Sequence, residues 1–129
     1  MRNDQDWGKL VLRLALGGTM LLHGIAKITG GVDGVAKMLA GHGLPAALAY
    51  GAYVGEVLAP LLVIVGLQAR VGAALMAINM VFAIWLAHAA DVLRLGEQGG
   101  WAIELQALYL FGSIAIVLLG AGRYSIDKR

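Results

Sequence analysis

The sequence predicts an all-α membrane protein in which four transmembrane helices form one bundle. Of the 129 residues, 60% are hydrophobic and only 14% are charged, whereas a soluble domain carries about 25% charged residues. In addition, apolar stretches long enough to cross a bilayer recur along the chain and leave little sequence between them. We therefore expect a single integral membrane domain over residues 1–129.

The spans follow from the positions of the apolar stretches and of the residues that interrupt them. The first stretch extends about 33 Å at ~1.5 Å per residue, which is enough to cross a bilayer. Pro45 suits the first turn of the second span, and the short 66–70 connection makes the second and third spans antiparallel neighbours. A short helical connection is expected over 32–43. The predicted spans are residues 7–28, 45–65, 71–89 and 101–119.

The distribution of positive charge predicts the orientation of the bundle. Four spans place both termini on one side of the membrane, so the basic residues can be compared between the two sides. One side would hold Arg2, Lys9, Arg13, Arg70, Arg123, Lys128 and Arg129. The other would hold Lys27, Lys37 and Arg94. Because basic residues concentrate on the cytoplasmic side, we expect cytoplasmic termini and external loops after the first and third spans.

Several classes of function are disfavoured by what the sequence lacks. There is no cysteine, so the chain itself cannot form a disulfide, pass electrons through a dithiol or ligate an iron–sulfur cluster. The basic residues are dispersed and form no stripe of the kind that binds nucleic acid. No Gly-rich phosphate loop or nucleophile elbow is present. Redox chemistry would therefore require a bound cofactor or a partner.

Ionisable side chains inside the predicted spans provide the main functional clue. Each costs roughly 2.5 to 3.5 kcal/mol to place at the bilayer centre, so it needs a compensating role. His23, His88, Asp91 and Glu104 come from three helices and fall at similar depths near the external side. Glu56 lies deeper, near the midplane at about 17 Å from the start of its span. We expect these residues to form one external-side cavity.

The surroundings of Glu56 add to this clue, whereas three other polar residues in the spans have ordinary structural explanations. Pro60 removes the hydrogen bond that the carbonyl of Glu56 would normally accept, so a kink is expected there, and the Glu56 carboxyl should be protonated or paired. Arg13 and Lys27 are expected to extend to the two interfaces. Asn79 falls on the opposite helical face from His88 and is expected in a helix contact.

Several segments together resemble the DoxX family of small four-helix membrane proteins of bacteria and archaea. The resemblance covers nearly the whole chain, and the order of the segments makes it specific. The matching segments are Leu12-Arg13, His23-Gly24-Ile25-Ala26-Lys27, Glu56, the turn at 66–70, Gly99-Gly100-Trp101 with Glu104, and residues 120–127.

The resemblance implies a multi-pass protein of the bacterial or archaeal inner membrane that takes part in quinone-linked redox chemistry. Some members of the family are subunits of a thiosulfate:quinone oxidoreductase, whereas most have no assigned reaction. In this interpretation His23 or His88 donates a hydrogen bond to a quinone carbonyl, and Glu56 or Glu104 relays protons. Lys27 and Trp101 would also contact the quinone, although Trp101 is more typical of an interface anchor.

Two other interpretations stay open at this stage. His23, His88, Asp91 and Glu104 would suit a metal ion, and a small transporter or a non-catalytic assembly factor would need no chemistry at all. In the redox interpretation a partner protein supplies electrons, and assembly of the chain into a homo-oligomer stays an open alternative. The contacts expected are therefore lipid and protein, and not nucleic acid.

Overall fold

In the part of the chain that the structure describes, long apolar stretches between glycine-rich breaks fold into five helices of nine or more residues. The computed structural model describes residues 4–97 and 99–128, so Arg2 and Arg129 of the charge comparison lie outside the described residues. Within the described part, the only pairing of the β type is an isolated bridge between Leu95 and Trp101. The predicted all-helical class is confirmed. The helices are α1 (Asp4–Gly30), α2 (Asp33–Gly41), α3 (Ala46–Val65), α4 (Ala69–Ala87) and α5 (Glu104–Leu119).

Three helices, α1, α3 and α4, have the length and apolar composition needed to cross a membrane. Helix α5 is also apolar but has only 16 residues, so it extends about 24 Å against a hydrocarbon core of ~30 Å. It begins later than the predicted fourth span, because Trp101 pairs with Leu95 in a turn before the helix starts. Large apolar side chains are exposed on every long helix, as a surface facing lipid requires.

The helices pack around a core of apolar and small side chains. Met20, Val63, Met76 and Ile116 come from four different helices and are almost fully buried in one cluster. Helix α2 contributes Leu39 to a second, smaller cluster. The first cluster holds α1, α3, α4 and α5 together, while the second attaches α2 at the end of the bundle where α1 leads into α3.

Arg13 is buried inside the bundle, so the expectation that it extends to the interface is wrong. Only 1% of the residue is exposed. Its guanidinium donates to the carbonyls of Val63 and Ile64 at 2.9 and 2.8 Å, and to those of Ala121 and Tyr124 at 2.9 and 3.0 Å. The last carbonyls of a helix have no donor within the helix, and α3 ends at Val65. The Arg13 guanidinium donates the hydrogen bonds that the carbonyls of Val63 and Ile64 cannot receive from within α3.

The segment after α5 packs across the same end of the bundle. The backbone N–H groups of Ile126 and Asp127 donate to the carbonyls of Val65 and Gly66. In return, the carboxylate of Asp127 accepts a hydrogen bond from the backbone N–H of Gln68 at 2.5 Å. The segment is therefore fixed to the turn between α3 and α4, directly beside the Arg13 guanidinium.

Replacing Arg13 should destabilise the bundle strongly. Arg13→Leu leaves buried carbonyls of α3 and of the 121–124 segment without donors, which should cost on the order of 3 kcal/mol in the free energy of unfolding. The measurement is equilibrium unfolding in detergent micelles. Arg94→Leu is the matched control, because the Arg94 side chain is 71% exposed and its loss should cost less than about 0.5 kcal/mol. Equal losses in the two variants would contradict this role for Arg13.

Candidate functional site

A cavity of about 590 Å³ lies among the helices, lined by residues of all five. Most of its wall is apolar, with side chains such as Met20, Leu75 and Leu86. Val35, Met38 and Leu39 of α2 also contribute, so α2 covers the cavity where α1 leads into α3. The polar side chains in the wall are His23, Lys27, Glu56, Asn79, His88, Gln106 and Tyr109.

An ion pair between Lys27 and Glu56 is the strongest polar interaction in this wall. Lys27 Nζ lies 2.7 Å from Glu56 Oε1, and the Glu56 side chain is only 7% exposed. The expectation that Lys27 extends to the interface is therefore wrong, because its ammonium turns inward to a buried carboxylate. Lys27 stands in the last turn of α1, where the helix dipole also favours a cation. Glu56 has the charge partner that its burial requires.

Helix α3 widens into a π turn over Val54–Leu58, with Glu56 in the middle. The N–H of Ala59 donates to the carbonyl of Val54, five residues earlier. Pro60 has no N–H to offer the carbonyl of Glu56, so the irregularity predicted for this helix takes the form of a π turn. Such turns recur at functional sites in other proteins.

Gly24 allows α1 to approach α3 at this turn. A Cβ atom on Gly24 would overlap the carbonyl oxygen of Glu56 and lie 2.6 Å from its carbonyl carbon. Only glycine therefore fits at this crossing. Because Lys27 follows three residues later on the same helical face, the close approach at Gly24 also brings the ammonium to Glu56.

Adding a methyl group at Gly24 should force the two helices apart. We expect Gly24→Ala to lower the free energy of unfolding by about 1 to 3 kcal/mol, as overpacking typically does. Gly18→Ala on the same helix is the control, since a Cβ there meets nothing within 4 Å. That control should stabilise the helix by up to about 1 kcal/mol through its better helix propensity. Unfolding titrations of both variants would measure the difference, and a neutral Gly24→Ala would contradict the close crossing.

The remaining polar groups come from α1, α4 and α5. The rings of His23 and Tyr109 meet edge to face with centroids 5.7 Å apart. His88 Nε2 lies 3.4 Å from Gln106 Nε2, and its Nδ1 lies 3.6 Å from Asp91 Oδ2. The two histidines therefore enter the cavity wall from α1 and from the segment just after α4, each beside a polar residue of α5.

Asn79 and His88 both line the cavity, although helical phase predicted opposite faces. His88 follows the last residue of α4 and has left helical geometry, with φ −131°, so the phase of α4 no longer applies to it. Asn79 also makes the predicted helix contact, because a Cβ on Gly55 would lie only 2.6 Å from the Asn79 side chain. It therefore serves both as packing and as part of the wall.

Three of the predicted site residues lie outside this wall. Glu104 is exposed in the first turn of α5, with its carboxylate beside Gly100. Asp91 contacts His88 and Arg94, and the indole N–H of Trp101 donates to the carbonyl of Val92 at 2.5 Å. In residues 4–97 and 99–128, no three His, Cys, Asp or Glu side chains come close enough together to hold a metal ion.

Gln106 and Tyr109 are members of the wall that the sequence analysis missed. Both were part of the apolar fourth span and carry no charge, so neither drew attention as an ionisable group. Their spacing of three residues places them on one face of a helix. The sequence therefore does contain a signal for these two wall residues, namely an amide and a phenol on the same face of an apolar span.

Comparison with known proteins agrees with the pattern of residues described above. The family model for DoxX matches residues 8–89, which include most of α1 and all of α2, α3 and α4. The chain belongs to the DoxX family. His23, Lys27, Glu56 and His88 all lie within the matched part, whereas α5 lies beyond it.

The chain is also 28% identical to a Bacillus subtilis (strain 168) protein named "Putative oxidoreductase CatD". The similarity extends over 127 residues, 98% of this chain and 90% of the relative. No solved structure matches the chain significantly. This DoxX-family membrane protein is thus similar over nearly its whole length to a protein whose name indicates redox chemistry.

Proposed function

We propose that this protein is a component of a membrane oxidoreductase and binds the ring of a quinone in the five-helix cavity. The observation that carries the proposal is the wall itself, an apolar enclosure with hydrogen-bond donors on separate helices. A quinone ring is flat and apolar, and it has a carbonyl acceptor at each of two opposite edges. Lys27 and His23 of α1 can serve one carbonyl, and His88 and Gln106 can serve the other.

The ion pair gives the cavity a source of protons. Reduction of a quinone to a quinol takes up two electrons and two protons. Lys27, with Glu56 as its charge partner, can donate one of these protons to the ring oxygen that it contacts, and His88 can donate the other to the opposite oxygen. The side chain of Lys27 is 27% exposed, so it can regain the proton from water. The electrons would come from a partner protein, because the chain contains no cysteine and shows no motif for a redox cofactor.

The placement of the site residues favours a quinone over a metal ion. A metal site would draw on His23, His88, Asp91 and Glu104, but only the two histidines line the cavity. A transporter or an assembly factor would use the cavity for a different cargo or not at all. Binding of a quinone by the purified protein separates these alternatives from the proposal.

Loss of a donor in the wall should weaken quinone binding. We expect His88→Ala and Gln106→Ala each to raise the Kd for decylubiquinone by about two- to tenfold, since a hydrogen bond contributes ~0.5 to 1.5 kcal/mol. Binding would be measured by equilibrium dialysis of protein in lipid nanodiscs. His42→Ala is the control, because His42 is exposed and does not line the cavity. Equal affinities in all of these variants would rule out the proposed wall contacts.

Glu56 should matter for proton transfer more than for binding. In Glu56→Gln the amide keeps the shape but cannot hold a charged Lys27, so proton-coupled reduction of bound quinone should slow by about 100-fold. Voltammetry of the protein in a lipid film measures this rate. Glu104→Gln changes an exposed carboxylate outside the cavity and should leave the rate unchanged. A full rate in Glu56→Gln would remove Glu56 from the proton path.

A further inference from the structure

The wall of the cavity includes side chains that are also exposed on the outside of the bundle. Leu48 and Val54 of α3 are 55% and 42% exposed, and Ile78 and Phe82 of α4 are 55% and 51% exposed. All four line the cavity. The cavity therefore reaches the outer surface along the crossing of α3 and α4, and the side chains at that opening are apolar.

The position of the opening is set by two glycines of α3. At Gly55 the helices touch, because the side chain of Asn79 fills the space where a Cβ would stand. At Gly51, one turn earlier, a Cβ would meet nothing within 4 Å. Both glycines line the cavity. The gap between α3 and α4 is thus closed at Gly55 and open at Gly51.

We infer that the gap at Gly51 is a lateral portal that holds the hydrophobic tail of a quinone while the ring occupies the cavity. This inference rests on the proposed function. The tail is the expected occupant because the portal leads directly from the polar wall of the cavity to a surface that faces lipid. The four side chains around it are uncharged and apolar, and therefore suit an isoprenoid or alkyl chain. A ligand with a tail would then enter from the bilayer and not from water.

Gly51 is a suitable position for testing the portal. Its backbone has φ −59° and ψ −25°, a conformation that any L-residue adopts in a helix. No atom stands within 4 Å of a Cβ added at Gly51, so a side chain can begin there without a backbone clash and extend into the gap. Gly18 of α1 is equally open but does not line the cavity, so it provides a matched control.

The experiment compares two quinones with the same ring, decylubiquinone and the tail-less ubiquinone-0, by equilibrium dialysis in nanodiscs. Gly51→Leu should raise the Kd for decylubiquinone by about tenfold or more and leave that for ubiquinone-0 within about twofold. Gly18→Leu should change neither affinity. Phe82→Ala removes an apolar side chain that would contact the tail, so it should raise the Kd for decylubiquinone alone. This second variant provides a test even if Gly51→Leu does not fold.

The failures of the two proposals are distinguishable. If the unaltered protein binds neither quinone, the proposed function is wrong and the portal with it. If it binds both, but Gly51→Leu and Phe82→Ala affect the two quinones equally, the portal is wrong and the quinone site stands. A variant with lower affinity for the tail-less quinone alone would also overturn the portal.

Discussion

Backbone carbonyls that lack a helical donor constrain this structure more than any other feature. In hydrocarbon an unsatisfied carbonyl costs several kcal/mol, so each one needs a hydrogen-bond donor within the protein. At one end of the bundle, Arg13 donates hydrogen bonds to two carbonyls of α3 and to two of the segment after α5. In the middle of α3, Pro60 frees the carbonyl of Glu56, and that oxygen lies against Gly24. Both sites join α1 to α3, the first through hydrogen bonds of Arg13 and the second through close packing of Gly24 against the freed carbonyl.

The cavity depends on the second of these contacts. The widened turn of α3 presents the Glu56 side chain inward, and the approach of α1 at Gly24 supplies Lys27 as its partner. The ion pair then places charge in a wall that is otherwise apolar. Helix α4 adds Asn79, and His88 joins the wall because α4 ends just before it. The residues of α3 that line the cavity are thus also residues through which α3 packs against α1 and α4.

Composition and the spacing of apolar stretches were sufficient to predict the helical class and the approximate ranges of the first three long helices, because burial in lipid leaves a direct trace in sequence. Depth along a helix could also be counted, and it singled out Glu56, His23 and His88. The neighbour that each side chain faces around its helix could not be predicted in this way. Glu104 and Asp91 were therefore grouped with a wall that they do not line. The role of Arg13 depends on where α3 ends, and that of Lys27 on where α3 widens. Which distant helix each side chain meets becomes visible only in the folded structure.

The hydrogen bonds of Arg13 have a consequence for biosynthesis. Its partners in α3 are separated from it by 50 and 51 residues, and those beyond α5 by 108 and 111. Helix α1 therefore emerges from the ribosome long before its guanidinium has acceptors. Until α3 and the segment beyond α5 have been made, Arg13 lacks the four carbonyls to which it donates in the folded bundle.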